Sequence, residues 1–404
     1  MKIQHIEEPR GPRAAPTRHT TRPVWRLGFR PFYLAAAVLA ALAIPLWMAQ
    51  YLGWIDGTAM PAMQVGLGWH MHEMVFGMAT AVVVGFLFTA AQAWTGGRTP
   101  AGRHLAALVL LWCAGRIAML VAPPLLAAVV DWVFLPLAAW PLWRVLQRAG
   151  NRRNYFLIFL LGLLAVANAV YHAGALGWLA LSPMAPVQAA ILVIVVMESA
   201  IGTRVIPMFT RNGAPGTVPL VQPYLDRVAL GTLAAASVCW VAGAPGWLFA
   251  PLAGVAAVLV LLRVWRWQGH KTLSVPLLWI LHFSYAWVAL GMLLLALASF
   301  GQIGPSAGFH ALAVGSMAGL ILGMITRTAL GHTGRPLKAG RAELAIFVLI
   351  EVAAVTRVAA ALGWDNANGA VLLASALCWT LAFIQYLVTY FPYLVKPRVD
   401  GKDG

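Results

Sequence analysis

Twelve separate runs of predominantly apolar residues, each about 20 long, constrain this 404-residue chain more than any other feature. Such a run matches the hydrocarbon thickness of a bilayer, where every backbone N–H and C=O must be bonded within the protein, a condition met by helices and closed barrels. The runs lie roughly at 31–52, 69–93, 103–122, 125–147, 154–174, 185–210, 224–242, 246–267, 275–299, 307–331, 341–362 and 369–393, and their length favours helix over strand. Composition agrees: 61% of residues are AVILMFWYC and 10% are DEKR, against about 45–50% apolar and about 25% charged in a soluble domain. The expected fold is all-α, a polytopic membrane protein with about twelve transmembrane helices.

The net charge of +16 would suggest nucleic acid on a soluble protein. Here the basic residues fall on alternate connections. Those after even-numbered spans carry Arg98 and Arg103; Arg148, Arg152 and Arg153; Arg211 and Arg227; Arg266 and Lys271; Arg335, Lys338 and Arg341. Those after odd-numbered spans, such as 53–68, 175–184 and 300–306, carry no Lys or Arg. The positive-inside rule therefore predicts a multi-pass membrane protein with both termini cytoplasmic, its basic residues acting as topology determinants and not as a nucleic-acid surface.

Residues 1–24 have no apolar core and are rich in Arg, Pro and Thr. They read as a disordered basic cytoplasmic arm, not a signal peptide. Residues 25–393 form the transmembrane domain and 394–404 a cytoplasmic tail. Cys113, Cys239 and Cys378 lie far apart in apolar stretches, without CxxC spacing, and read as small buried residues.

Function is sought inside the membrane, where ionisable side chains are costly. Span two opens with Trp69-His70-Met71-His72-Glu73, span five ends with Asn168-Ala169-Val170-Tyr171-His172, and span ten opens with Phe309-His310. With alternating span direction, His70, His72, His172 and His310 share one layer in the outer leaflet, on three helices. Neutral imidazole suits iron, copper and zinc, so the layer is a candidate haem or metal site. His70 and His72 are about 200° apart around a helix and suit two sites on opposite faces, whereas His70 and Glu73, three apart, share a face. His282, deep in span nine with Tyr285 three residues on, is either a further metal ligand or a core hydrogen-bonding group.

Spans two and ten also resemble each other, Gly68-Trp69-His70 against Gly308-Phe309-His310 at their starts, and Thr203-Arg204 of span six is echoed by Thr326-Arg327 of span ten. The spacing by four helices is consistent with three four-helix units. Glu198, in VVMESAIGTR, lies roughly 20 Å of helix rise below the outer end of span six and is a candidate proton carrier. Arg116 and Arg357, toward the outer side of spans three and eleven, are candidates for binding haem propionates.

The runs WHMHEMVFGMATAVVVGFLFTAAQAWTG, RNYFLIFLLGLLAVANAVYH, IGTRVIPMFTRNG, LHFSYAW and HALAVGSMAGLILGMITRTALGHTGRPL resemble the NnrS family of bacterial membrane proteins over nearly the whole chain, from about Trp25 to Pro392. The resemblance implies a haem- and copper-containing inner-membrane protein tied to nitric oxide in denitrification or nitrosative stress. It implies His70, His72, His172 and His310 as metal ligands, with His282 also inside a family motif. The arrangement is similar to haem-copper oxidases, whose second and tenth helices hold a low-spin haem. By that analogy His70 or His72 would pair with His310 on a haem b, leaving His172 and the other span-two histidine for copper or a second iron. Glu73 and Glu198 are then the expected catalytic proton-handling carboxyls. Nitric oxide reduction needs a donor, a quinol or a separate cytochrome. Nitric oxide binding or sensing without turnover, and a twelve-span transporter of metal or a small metabolite, stand as alternatives. A homodimer is compatible with all three.

The topology has a direct test. With the three cysteines replaced by serine, Gln302→Cys should react with a membrane-impermeant maleimide in intact spheroplasted cells, and Gly150→Cys only after permeabilisation; the reverse pattern would invert the protein.

Overall fold

A computed structural model describes residues 21–55, 65–365 and 369–402. The expected arm at 1–24 falls largely outside these residues, as does most of the connection 53–68. Twelve helices among the described residues are long and apolar enough to cross a membrane: α1 (Phe29–Tyr51), α2 (Leu67–Thr95), α3 (Gly102–Val121), α4 (Pro124–Arg148), α5 (Arg152–Ala175), α6 (Met184–Gly213), α7 (Pro223–Val241), α8 (Gly246–Arg266), α9 (Pro276–Ser299), α10 (Pro305–His332), α11 (Arg341–Ala361) and α12 (Ala370–Val395). The described residues contain no strand, and the helix ends lie within a few residues of the apolar runs in the sequence.

Neighbours in sequence pack against one another, and α1 also packs along α12, which closes the bundle. Centrality is uneven. Of the most apolar window of α2, 83% of residues are buried, and of α10, 78%, against 28% for α7 and α12. α6 touches α2, α9 and α10. The second, sixth and tenth helices thus meet in the interior, in keeping with the four-helix spacing in the sequence.

Two central helices are not regular. Glu73–Ala79 of α2 and Ala311–Ala318 of α10 are wound as π-helix, each beginning directly after a histidine. π segments widen a helix and rotate the residues beyond them. α4 is interrupted at Val133, where Pro136 withholds an N–H from the carbonyl of Trp132 and crowds it. Several hydroxyls inside the spans are satisfied on their own helices: Thr89 donates to the Gly85 carbonyl and Thr210 to that of Ile206.

The opposite end of the bundle is tied by arginines. Fully buried Arg30 donates to the carbonyls of Leu394 (2.8 Å) and Lys396 (2.9 Å), closing the C-terminus of α12. Arg398 donates to the His332 carbonyl and the Val399 N–H to that of Thr333, so the tail folds back on the end of α10.

α9 and α10 approach closely at paired glycines. A Cβ on Gly291 would lie 2.5 Å from Leu312 Cδ2, and one on Gly308 2.7 Å from Leu295 Cδ2. Gly291→Val should therefore destabilise by about 1–3 kcal/mol and lower the melting midpoint in detergent. Gly254→Ala, with open space around its Cβ, should be neutral or mildly stabilising, because alanine is the better helix former.

Candidate functional site

The start of α2 carries two functional faces. Two residues apart on a helix, His70 and His72 point in nearly opposite directions, and each enters a different environment.

His70 faces a cavity of about 500 Å³ between α1, α2, α6, α10, α11 and α12. His310 of α10 lines the same cavity, as does Arg357 of α11, and no Asp or Glu is among the lining residues. The rest of the wall is largely apolar, including Met48, Met71, Met74, Met78, Met184 and Met317. Trp47 of α1 stacks on His70, ring centroids 4.1 Å apart and 16° from parallel, which sets the orientation of that imidazole. His310 Nδ1 lies 2.7 Å from the Ser306 carbonyl one turn earlier. A carbonyl only accepts, so Nδ1 carries the proton and Nε2 keeps its lone pair. Nδ1 of His70 is buried without a hydrogen-bond partner.

His72 faces the other way, into a buried polar cluster drawn from α2 to α5. Its Nδ1 is 3.0 Å from Glu73 Oε1, and its Nε2 is 3.1 Å from Asp131 Oδ2 and 3.0 Å from Asn168 Oδ1. His172 Nε2 lies 2.9 Å from the same Asp131 oxygen, to which the Asn168 amide donates at 2.7 Å. Arg116 of α3 donates to Glu73 Oε1 at 2.9 Å and pairs with Asp131 Oδ1. Every one of these side chains is buried. Gly77 leaves room for the guanidinium: a Cβ there would be 2.7 Å from Arg116 Nη1. The break in α4 comes two residues after Asp131, and the π segment of α2 starts at Glu73, so the irregular backbone of both helices borders the cluster.

The residues singled out in the sequence are thereby divided. His70, His310 and Arg357 share the cavity; His72, His172, Glu73 and Arg116 share the cluster. Glu73, expected on the His70 face, turns to His72 instead, because Arg116 draws its carboxylate toward α3. Arg116, expected at a haem propionate, does not line the cavity, since both carboxylates it pairs with lie on the other side of α2. Glu198 lies in neither site. It accepts a 2.5 Å hydrogen bond from Ser316, in the π segment of α10, and lines a smaller apolar cavity of about 100 Å³ that shares Met317 with the larger one. His282 is apart from all of them, its Nε2 2.8 Å from Thr210 Oγ1 near the opposite end of α6.

Asp131, which joins both histidines and Arg116, had no part in the sequence expectation. The signal was present: a lone acid in AAVVDWVF is as costly in a span as Glu198. Arg263 of α8 is similar, fully buried and paired with Asp226, Ser199 and Tyr285; its position near the end of an apolar run makes it read as a topology residue.

In comparison with known proteins, the family described as NnrS protein matches residues 23–398. No curated protein matches the chain.

Arg116 is a single cation paired with two buried carboxylates, so Arg116→Ala should destabilise the protein by about 3–5 kcal/mol, the range for stripping a buried charge of its partner. Arg116→Lys should recover part of that, since it restores charge without the planar fork. Melting of the detergent-solubilised variants reads both.

Proposed function

The chain belongs to the NnrS family, and from that premise we propose that it is a haem- and copper-containing inner-membrane protein that reduces nitric oxide at a metal site in the outer leaflet. Family membership links it to nitric oxide-related function and to metal and haem binding; the reaction and the site are our reading. The observation that carries it is the cavity into which α2 and α10 each present one histidine.

The residues there fit a haem. A volume of about 500 Å³ falls inside the range of about 300–1,000 Å³ of ligand sites, and the wall is apolar with few polar groups. Ser306 fixes His310 in the tautomer whose Nε2 can ligate, and the unpartnered Nδ1 of His70 marks a second imidazole not used by the protein fold. Arg357 supplies a cation for haem carboxylates. With no CxxCH in the sequence, the haem would be non-covalent, of b type. His72 and His172 would hold the second metal, copper or iron, on the far side of the same helical turn.

When bound, the haem supplies one-electron transfer and the second metal an open position for nitric oxide. Two molecules of nitric oxide, two electrons and two protons give one nitrous oxide and one water. Nitric oxide is neutral and enters from lipid, so the methionine-lined walls suit it better than a polar channel would. Glu73, touching His72 and Arg116, is placed to pass a proton at the second site. Glu198, hydrogen-bonded to Ser316 at the smaller cavity, would bring one from deeper in the membrane. The electron donor would be a quinol or a cytochrome.

Purified protein should show a Soret band that His310→Ala and His70→Ala abolish or strongly shift, while His332→Ala leaves it nearly unchanged. Normal haem content in the first two variants would sink this ligation. Anaerobic assay of the reduced protein should consume nitric oxide, and Glu198→Gln should slow consumption without altering the spectrum. A spectrum that responds to nitric oxide with no consumption under any donor would replace reduction by binding.

A further inference from the structure

We propose that the groove between α9 and α11 is a quinol site, where Glu351 takes a proton from a ring hydroxyl as the electrons leave for the haem. The proposal rests on the nitric oxide reading above and names its electron donor.

The groove opens onto lipid. It has a volume of about 440 Å³ and is walled by Trp279 and Phe283 of α9 and by Val348, Val352 and Val355 of α11. Phe283 and the three valines are exposed, and on a membrane span an exposed apolar side chain faces hydrocarbon. Trp279 and Phe283 meet edge to face, ring centroids 5.6 Å apart, which gives the wall aromatic surface for a flat ring. The volume lies in the range of about 300–1,000 Å³ for sites that take small organic molecules.

Glu351 is the ionisable residue in that wall. It lies about 15 Å of helix rise from the start of α11, where a carboxyl is costly and marks a pathway by default. The two side chains that donate to it are neutral: Trp287 Nε1 donates to Oε2 at 2.7 Å and Ser284 Oγ to Oε1 at 3.1 Å. Glu73 and Asp131 are compensated by Arg116, whereas these donors orient the Glu351 carboxyl and leave it able to gain and lose a proton. Each of its oxygens keeps a lone pair for a hydroxyl in the groove.

The same two donors lead inward. Trp287 packs against Gly315 and Ser284 against Gly319 so closely that a Cβ on either glycine would collide with the side chain facing it. Gly315 belongs to the π segment Ala311–Ala318 of α10, whose Ala313, Val314 and Met317 line the histidine cavity. The indole of Trp287 thus spans from the Glu351 carboxyl to the turn of α10 that walls the proposed haem site, a path for electrons, while Ser284 gives the protons a separate exit.

The chemistry of the donor follows. A carrier dissolved in the bilayer, with an aromatic ring and hydroxyls that release two electrons and two protons, matches an apolar groove holding one proton acceptor. The quinol is oxidised to quinone; each ring O–H breaks as its proton bonds to a Glu351 oxygen and passes on to Ser284. The two electrons and two protons reduce two molecules of nitric oxide to one nitrous oxide and one water. A soluble cytochrome would instead dock through complementary charge. The connections 122–123, 175–184, 242–245 and 300–306, on the side predicted to face outward, carry no charged residue.

Photolabelling and haem reduction test the site separately. Purified protein in detergent is illuminated with an azidoquinone, and the label is located by mass spectrometry. We expect it on 276–299 and 341–361, displaced by an excess of a short-chain quinone, and lost in Val352→Trp, which fills the groove from its lipid face. Reduction of the haem by a short-chain quinol, followed anaerobically at the Soret band, should slow at least roughly a hundredfold in Glu351→Gln, the low end of what a positioned base contributes. That variant should keep the label, because the amide preserves the shape of the groove, and dithionite should reduce wild type and both variants alike. Displaceable label in a protein without haem would support the groove as a quinone site and sink the haem reading. No displaceable label on these helices, quinol reduction as fast in either variant as in wild type, or reduction by a reduced cytochrome with none by quinol would each overturn the proposal.

Discussion

Arg116 lies between Glu73 and Asp131 where water does not reach, and the placement of α2 to α5 depends on that pairing. A carboxylate alone in a span is expensive enough that a helix carrying it must turn it toward a partner. Glu73 on α2 and Asp131 on α4 are drawn to one guanidinium on α3, which sets the rotation of all three helices about their axes. With α2 rotated so that Glu73 reaches α3, His72 faces α5 and meets His172. His70, nearly opposite on the helix, is left facing the bundle centre. The division of the histidines into two environments is thus a consequence of where the buried charge is satisfied.

The same helix supplies the second environment by its irregularity. α2 and α10 both change to π winding directly after a histidine, and both line the large cavity. A π segment inserts an extra residue into the turn, which rotates the helix beyond it relative to the helix before it. The histidine-bearing ends can then face the cavity while the deeper halves keep packing in the core. On α10 the π segment also carries Ser316, the hydrogen-bond partner of Glu198, so the same distortion supplies part of the cavity wall and the contact to that carboxyl.

Much of this was legible in the sequence. The twelve spans come from apolar length, since a bilayer leaves few alternatives for a backbone whose polar groups must bond internally. The histidine layer comes from counting spans and their alternating direction, and the opposite faces of His70 and His72 from helical angle alone. The site's wiring was not legible. Glu73 is three residues from His70 and on a regular helix would share its face, yet it bonds His72, because Arg116 of α3 pulls it there. Arg116 and Arg357 looked equivalent by depth, but one belongs to the cluster and the other to the cavity. Asp131 carried the burial signal of any acid in a span without anything nearby in sequence to say which histidines it would join.

The sequence by itself determined the class of fold, the number of spans, the alternation of connections with and without Lys or Arg and the depth of each ionisable residue, because these depend on length, polarity and order along one dimension. Tertiary structure decided which residues at equal depth meet. That depends on the rotation of each helix about its own axis, which is set by buried charge pairing, by glycine contacts such as Gly291 with Leu312 and by π windings. These act between segments far apart in the chain, where no local pattern records them.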